Sequence, residues 1–198
     1  LFVLFIVQAI SRTALPWHLL VWTGSSESFQ PWQPFTHWFY QDVDGVINTL
    51  LTWLMVFFFV PPTEESYGRI GTLRITATII AACALIGTVG VFSGSLGVGQ
   101  AFGIMPFITA FITLFGLNRP NASILLFFVI PIKAIWIAWG TGLLTLMYFI
   151  ASISAGGSLP AALALTAWCT AFGWVKLIDE GRLRKSILRR KQRQLQKR

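Results

Sequence analysis

Acid–base and nucleophilic chemistry have little to draw on in this chain. Among its 198 residues there are two histidines, His18 and His37, and none after residue 37. The two cysteines, Cys83 and Cys169, lie in apolar runs, outside any C-x-x-C arrangement and without a neighbouring histidine. Neither metal ligation nor a disulfide framework is therefore expected, and both read as packing residues. The stretch Gly97-Val98-Gly99 lacks the Lys and Ser/Thr of a phosphate loop, and no strand is expected before it. Arg74 and Lys133 are charges in apolar surroundings, but each stands near the end of its segment, which disfavours an ion or proton path. The two halves of the chain show no inverted repeat of the transporter kind. No metal and no cofactor are expected.

The elements that must position these residues belong in lipid. Hydrophobic residues make up 55% of the chain and charged residues 11%, against roughly 25% charged in soluble proteins. The expected class is an all-α, polytopic membrane protein. The apolar stretch Leu1 to Ile10 covers only about half of a ~30 Å hydrocarbon core, so the chain is expected to begin within its first span. A signal peptide is disfavoured, because no charged segment precedes this stretch and no small-residue cleavage site clearly follows it. A long amphipathic connection, residues 11–44, interleaves Trp17, Trp22, Trp32 and Trp38 with Pro16, Pro31 and Pro34 and is expected to lie at headgroup level. The second span runs from about Val43 to Val60 and should stop at Pro61-Pro62. A third, Ile70 to Phe92, is followed by a fourth, Val98 to Leu117, which ends at Asn118-Arg119-Pro120-Asn121. Ala122 to Ser152 is too long for one straight span, and Pro131 suggests a short entry segment with a fifth helix from about Ile132. The sixth runs from Leu159 to Ile178, with Pro160 in its first turn.

Charge is concentrated at one end. Lys176 to Arg198 hold ten of the fifteen Lys and Arg and two of the seven acids, which is the whole net charge of +8. Lys and Arg beside spans are retained on the cytoplasmic side. The C-terminus should therefore face the cytoplasm, and an even number of spans puts the N-terminus there too. Arg69, Arg74 and Arg119 fall on that side, and the Trp-rich loop, with Arg12 against Glu27, Asp42 and Asp44, falls outside. Residues 1–178 form the membrane domain and 179–198 a basic tail. Its Arg182, Arg184, Lys185, Arg189, Arg190 and Lys191 suit either a solvated anchor on anionic lipid, at about 1 kcal/mol per charge near the surface, or an acidic partner face. Nucleic acid is disfavoured, since the tail lacks aromatic residues for stacking.

Six spans, a long interfacial first loop and a glycine-rich turn before the fourth span together resemble the rhomboid family of intramembrane serine proteases. Trp32 and Thr36, in Pro31-Trp32-Gln33-Pro34-Phe35-Thr36-His37-Trp38-Phe39, resemble the family's Trp-Arg-x-x-Thr-x-x-Phe entry to the second helix. Asn48 then falls where the family has an oxyanion-stabilising Asn. Glu64 and Gly68 reproduce its Glu-x-x-x-Gly element. Gly97-Val98-Gly99-Gln100-Ala101-Phe102-Gly103 takes the place of its Gly-x-Ser-Gly, and Ile130-Pro131-Ile132-Lys133-Ala134 resembles the start of its fifth helix. The resemblance covers nearly the whole chain and implies a six-transmembrane-helix rhomboid-like bundle.

The chemistry of that family is missing. Its mechanism pairs a serine on the fourth helix with a histidine on the sixth, where the histidine takes the hydroxyl proton. Here Gly99 stands at the serine position, or Val98 if the register shifts by one, and Gly156 or Ser158 at the histidine position. The family's two second-helix histidines are replaced by Gln41 and Asp44, with the spacing to Asn48 about two residues short. A Ser-Lys pair would need a lysine at this depth, whereas Lys133 falls near the cytoplasmic end of the fifth span. Asn48 and His37 read as structural hydrogen-bonding residues. Gly99 with Gly103 on the fourth span, and Ala167 with Ala171 on the sixth, form small-x-x-x-small faces for close helix packing.

The expected function is accordingly binding by a catalytically inactive rhomboid-like protein, a pseudoprotease, of the bacterial inner membrane. As the resemblance implies, inactive members keep a lateral opening between the second and fifth helices that engages transmembrane helices of other proteins, here as a subunit or assembly factor of a hetero-oligomeric complex. The faces Phe57-Phe58-Phe59, Phe107-Phe111 and Trp136-Trp139 suit lipid, pigment-like or quinone-like molecules, or neighbouring helices. The alternative is an intramembrane protease with a non-standard nucleophile, Ser95.

Overall fold

The computed structural model describes residues 22–23, 29–39, 46–94, 96, 100–101, 104–126, 130–156 and 158–195. They are mostly helical. A single-turn helix α1, Gln33–Thr36, leads into a 3-10 turn at His37–Phe39. The long helices are α2, Val46–Phe92; α3, Met105–Asn118; α4, Ala134–Ser154; and α5, Leu159–Leu195. Three stretches, Leu50–Phe92, Ala134–Ser154 and Leu159–Ile178, are long and apolar enough to cross a membrane, and Met105–Asn118 is a shorter apolar helix. The residues of the first expected span lie outside those described.

At 47 residues, α2 would be about 70 Å long if straight, more than twice a hydrocarbon core. A kink at Gly68 divides it, with φ 71° and ψ 165°, a backbone geometry that a side chain would strain. The two arms, 46–67 and 69–92, are each of membrane length. The break falls later than the stop expected at Pro61-Pro62, because the helix runs through both prolines. Thr63 Oγ1 donates to the Phe59 carbonyl at 2.8 Å and Ser66 Oγ to the Pro62 carbonyl at 2.9 Å, local back-bonds that do not reach the Phe57 and Phe58 carbonyls whose N–H partners the prolines remove.

Two small antiparallel ribbons correct the all-α expectation. In the first, β1, Trp22–Thr23, pairs with β2, Gln100–Ala101, with Trp22 opposite Ala101. The second is a hairpin of β3, Ser123–Leu126, and β4, Ile130–Lys133. These ribbons move two helix starts. The fourth expected span begins at Met105 rather than Val98, since Gln100 and Ala101 are extended, and Pro106 sits in the first turn of α3. The fifth begins at Ala134 rather than Ile132, because Ile130 to Lys133 pair as a strand. The sixth expected span does not stop at Ile178; its helix continues to Leu195, which carries the basic tail.

Side-chain contacts fix the relative directions of the helices. Phe59 packs edge-on against Phe115 and the Tyr67 hydroxyl donates to Asn118 Oδ1 at 2.8 Å, so arm 46–67 and α3 run parallel. Thr78 meets Trp174 and Cys83 meets Leu163, so arm 69–92 and α5 run antiparallel. Gly116 touches Ala134 and Ala138, and the Trp168 indole donates to the Ala138 carbonyl at 3.0 Å, which sets α4 antiparallel to both α3 and α5. The alternation brings Glu65, Tyr67, Arg69, Asn118, Arg119, Lys133 and Lys176 to one end of the bundle. Trp22, His37, Leu96 and Ser158 lie at the other.

The core runs along α5. Ala110 of α3 and Ala161, Leu163, Ala167 and Ala171 of α5 are fully buried, and α3 with α5 makes the most extensive helix contact. Small side chains there allow close backbone approach. The tight contact of α3 with α4 rests on Gly116, where an added Cβ would lie 2.4 Å from the Ala134 carbonyl oxygen.

Candidate functional site

The chemistry-bearing residues that the fold gathers are at the end of the bundle where the first loop meets arm 69–92 and the start of α5. Trp22 enters from β1 and is completely buried. Its indole covers Gly87, whose missing side chain makes the room: a Cβ there would stand 2.2 Å from the ring, and Leu163 packs on the same spot. Trp22 and Trp38 both turn inward, while Trp32 is half exposed.

His37 lies against this indole, with ring centroids 5.4 Å apart at 54°, and against Trp38, at 4.7 Å. It is buried. Its Nδ1 is 3.0 Å from the Gln33 carbonyl oxygen. A carbonyl only accepts, so Nδ1 carries the proton and Nε2 is left with its lone pair. Nε2 of His37 and Nε1 of Trp22 are both buried without a hydrogen-bond partner among the described residues. Burial lowers the His37 pKa from 6.5 to about 4, against the opposing backbone hydrogen bonds of Gln33 and Pro34. The imidazole is therefore neutral and poses as an acceptor.

Ser158, one of the two residues named for the histidine position, makes a structural contact. Its backbone N–H and its hydroxyl donate to the Leu96 carbonyl oxygen at 2.9 and 2.7 Å, fully inside the protein. The hydroxyl is committed to holding the loop before α3 on the start of α5. Gly156, two residues earlier, has φ 75° and makes the turn between α4 and α5. Ser95, Gly97, Gly99 and Gly103 lie outside the described residues, and α3 begins at Met105, beyond both members of the expected Gly99/Gly103 packing pair. Asn48 is on the first turn of α2; its side chain lies outside the description, as do those of Arg182, Arg184, Lys185, Arg189, Arg190 and Lys191 on α5. Trp32 accepts at its carbonyl from Thr36 Oγ1 at 3.1 Å, a bond local to α1.

The opposite end carries a polar contact that motif reading passed over. Beside the Tyr67–Asn118 bond, Arg119 pairs with Glu65 at 2.6 Å, on the surface, while Glu64 is exposed. Among the aromatic faces, Phe57, Phe58, Trp136 and Trp139 are exposed, whereas Phe59 and Phe111 are buried in helix contacts. Cys83 packs inside with Sγ toward the Leu163 carbonyl, but Cys169 is exposed, contrary to a packing role. Among the described residues no three metal-ligating side chains come together.

What this arrangement offers is a buried donor and a buried acceptor, with no hydroxyl or thiol of the described residues placed to be activated by the imidazole. Its residues are not those a motif search singles out. Trp22 and Gly87 are far apart in sequence, and the one local signal, an aromatic-rich loop, is equally that of a membrane interface. No known protein-family model, no curated protein and no solved structure matches the chain.

Proposed function

We propose that this chain is a catalytically inactive, rhomboid-like protein of six spans that binds transmembrane helices of partner proteins, as a structural subunit or assembly factor of a larger complex in a bacterial inner membrane. Both termini would face the cytoplasm, with the cation-rich end of the bundle inward. The observation that supports the reading is a pair of exposed apolar helix surfaces. Arm 46–67 is fastened to α3 through its later half, by Phe59, Glu65 and Tyr67. Its earlier half presents Leu50, Leu51, Leu54, Phe57 and Phe58 outward. Helix α4 packs against α3 and α5 without extensive contact with α2 among the described residues, and exposes Leu143, Leu144, Met147 and Ile150 at the same level. Exposed apolar surfaces of this kind suit contact with a further apolar helix, where close packing replaces lipid contacts.

Photocrosslinking in native membranes tests this. Benzoylphenylalanine at position 54 or 147 should capture one discrete membrane partner, and at position 85, an exposed site on the other arm, should not. Equal capture at all three positions, or none at 54 and 147, overturns the proposal.

A further inference from the structure

We infer that Trp22 and His37 together bind an internal water molecule, which joins the first loop to the helix bundle. This stands apart from the partner-binding reading and does not depend on it. The two side chains are buried to 0% and 1% exposure, and each has one polar atom without a partner among the described residues. The two atoms are of opposite kinds. Trp22 Nε1 only donates, and His37 Nε2, because its Nδ1–H is engaged by the Gln33 carbonyl, only accepts. A buried polar atom left unpaired destabilises a fold, and native proteins pair or hydrate nearly all of them.

The chemistry of the guest follows from that opposition. A cation is repelled by the indole N–H and an anion by the imidazole lone pair. A guest must accept one hydrogen bond and donate another, which is what a hydroxyl does. The surroundings are crowded, which favours a small guest: the indole is pressed on Gly87 and Leu163, and its ring centroid is 5.4 Å from that of His37. Water is the smallest molecule of that kind, having two protons to give and lone pairs to receive. Gln30 Oε1, in the same short segment, is a further buried acceptor without a hydrogen-bond partner among the described residues. Its backbone N–H is bonded to Gln33 Oε1 at 3.2 Å, so the chain that would hold the water is itself cross-braced.

The test uses the full chain in lipid nanodiscs with nitrogen-15-labelled Trp and His. The Trp22 indole proton should cross-relax with a long-lived water, and the His37 Nε2 shift should be that of a hydrogen-bonded acceptor. Replacing Trp22 by 3-benzothienylalanine, an isostere with sulfur in place of N–H, should lower Tm by about 2 to 4 °C. A Trp22 proton without water contact, together with a free pyridine-type His37 Nε2, overturns the inference. So does a Tm that is unchanged or raised by the isostere, because deleting a donor that had no partner would relieve the fold rather than weaken it.

Discussion

Ser158 gives two hydrogen bonds to one acceptor, the Leu96 carbonyl oxygen, from its backbone N–H at 2.9 Å and its hydroxyl at 2.7 Å. This double bond across 62 residues pins the loop before α3 to the start of α5. Ser158→Ala removes the hydroxyl but keeps the N–H, so the carbonyl is not orphaned. The cost should be a single buried hydrogen bond, about 1 kcal/mol. A fall in Tm of about 2 to 4 °C is expected for a chain of this size, and thermal unfolding in detergent checks it.

His37 gives the fold a pH dependence. Its pKa lies at about 4 in the fold against 6.5 unfolded, so between these values the unfolded chain binds more protons than the folded one. Stability therefore rises with pH across that window and is level above it. Acidification from pH 6.5 to 4 should cost on the order of 3 kcal/mol from this residue. His37→Phe should flatten the profile over the same range, whatever it does to stability at neutral pH. Equilibrium unfolding at a series of pH values, wild type against variant, reads this directly.

Close helix contacts predict sharply different outcomes for chemically identical substitutions. At Gly116 a methyl group would meet the Ala134 carbonyl oxygen at 2.4 Å and the Ala138 Cβ at 2.7 Å, neither of which can step aside. Gly116→Ala should destabilise by about 1–3 kcal/mol through separation of α3 and α4. At Gly142 the methyl would meet the Trp168 ring at 2.3 Å, and that indole is held by its bond to Ala138. A similar loss is expected. Gly140 has nothing within 4 Å, so Gly140→Ala should be neutral or stabilising by up to about 1 kcal/mol from helix propensity. Unfolding midpoints of the three variants rank the contacts.

The pairing at the cation-rich end should be unequal in strength. Arg119 and Glu65 are close but their side chains are 42% and 67% exposed. An exposed pair of this kind contributes about 0–1 kcal/mol and is weakened by salt. The Tyr67–Asn118 bond is partly buried and neutral, so Tyr67→Phe should cost about 1 kcal/mol with no salt dependence. Melting Arg119→Ala and Tyr67→Phe at low and high salt separates the two contributions.

Much of the helical content was legible because apolar runs of membrane length leave few alternatives for a backbone out of water. The errors occur where side chains far apart in sequence decide local structure. Pro61-Pro62 reads as a stop, but the helix runs on, with Phe59 and Tyr67 on either side of the prolines packed on Phe115 and Asn118 of α3, and the break waits for Gly68. Gln100-Ala101 reads as the start of a helix, but its partner strand is Trp22-Thr23, almost eighty residues earlier. The same distance hid the site. His37 looks like a surface residue until Trp22, seated on Gly87, closes over it.

The protease alternative makes a final prediction, and His37 is its test. A relocated nucleophile such as Ser95 needs a general base, and the chain has no histidine beyond residue 37. His37 has its Nδ1–H oriented by a carbonyl, as a base would, but its pKa of about 4 makes it a poor proton acceptor at neutral pH, because efficient general bases lie near the operating pH. Purified protein should therefore take up no fluorophosphonate probe and cleave no transmembrane substrate. Labelling that disappears in Ser95→Ala would restore the enzyme, and it would require a base to act beside Ser95. Loss of the same labelling in His37→Phe would identify that base as the buried imidazole after all, and would move the catalytic centre from the two helix positions of the dyad to the first loop.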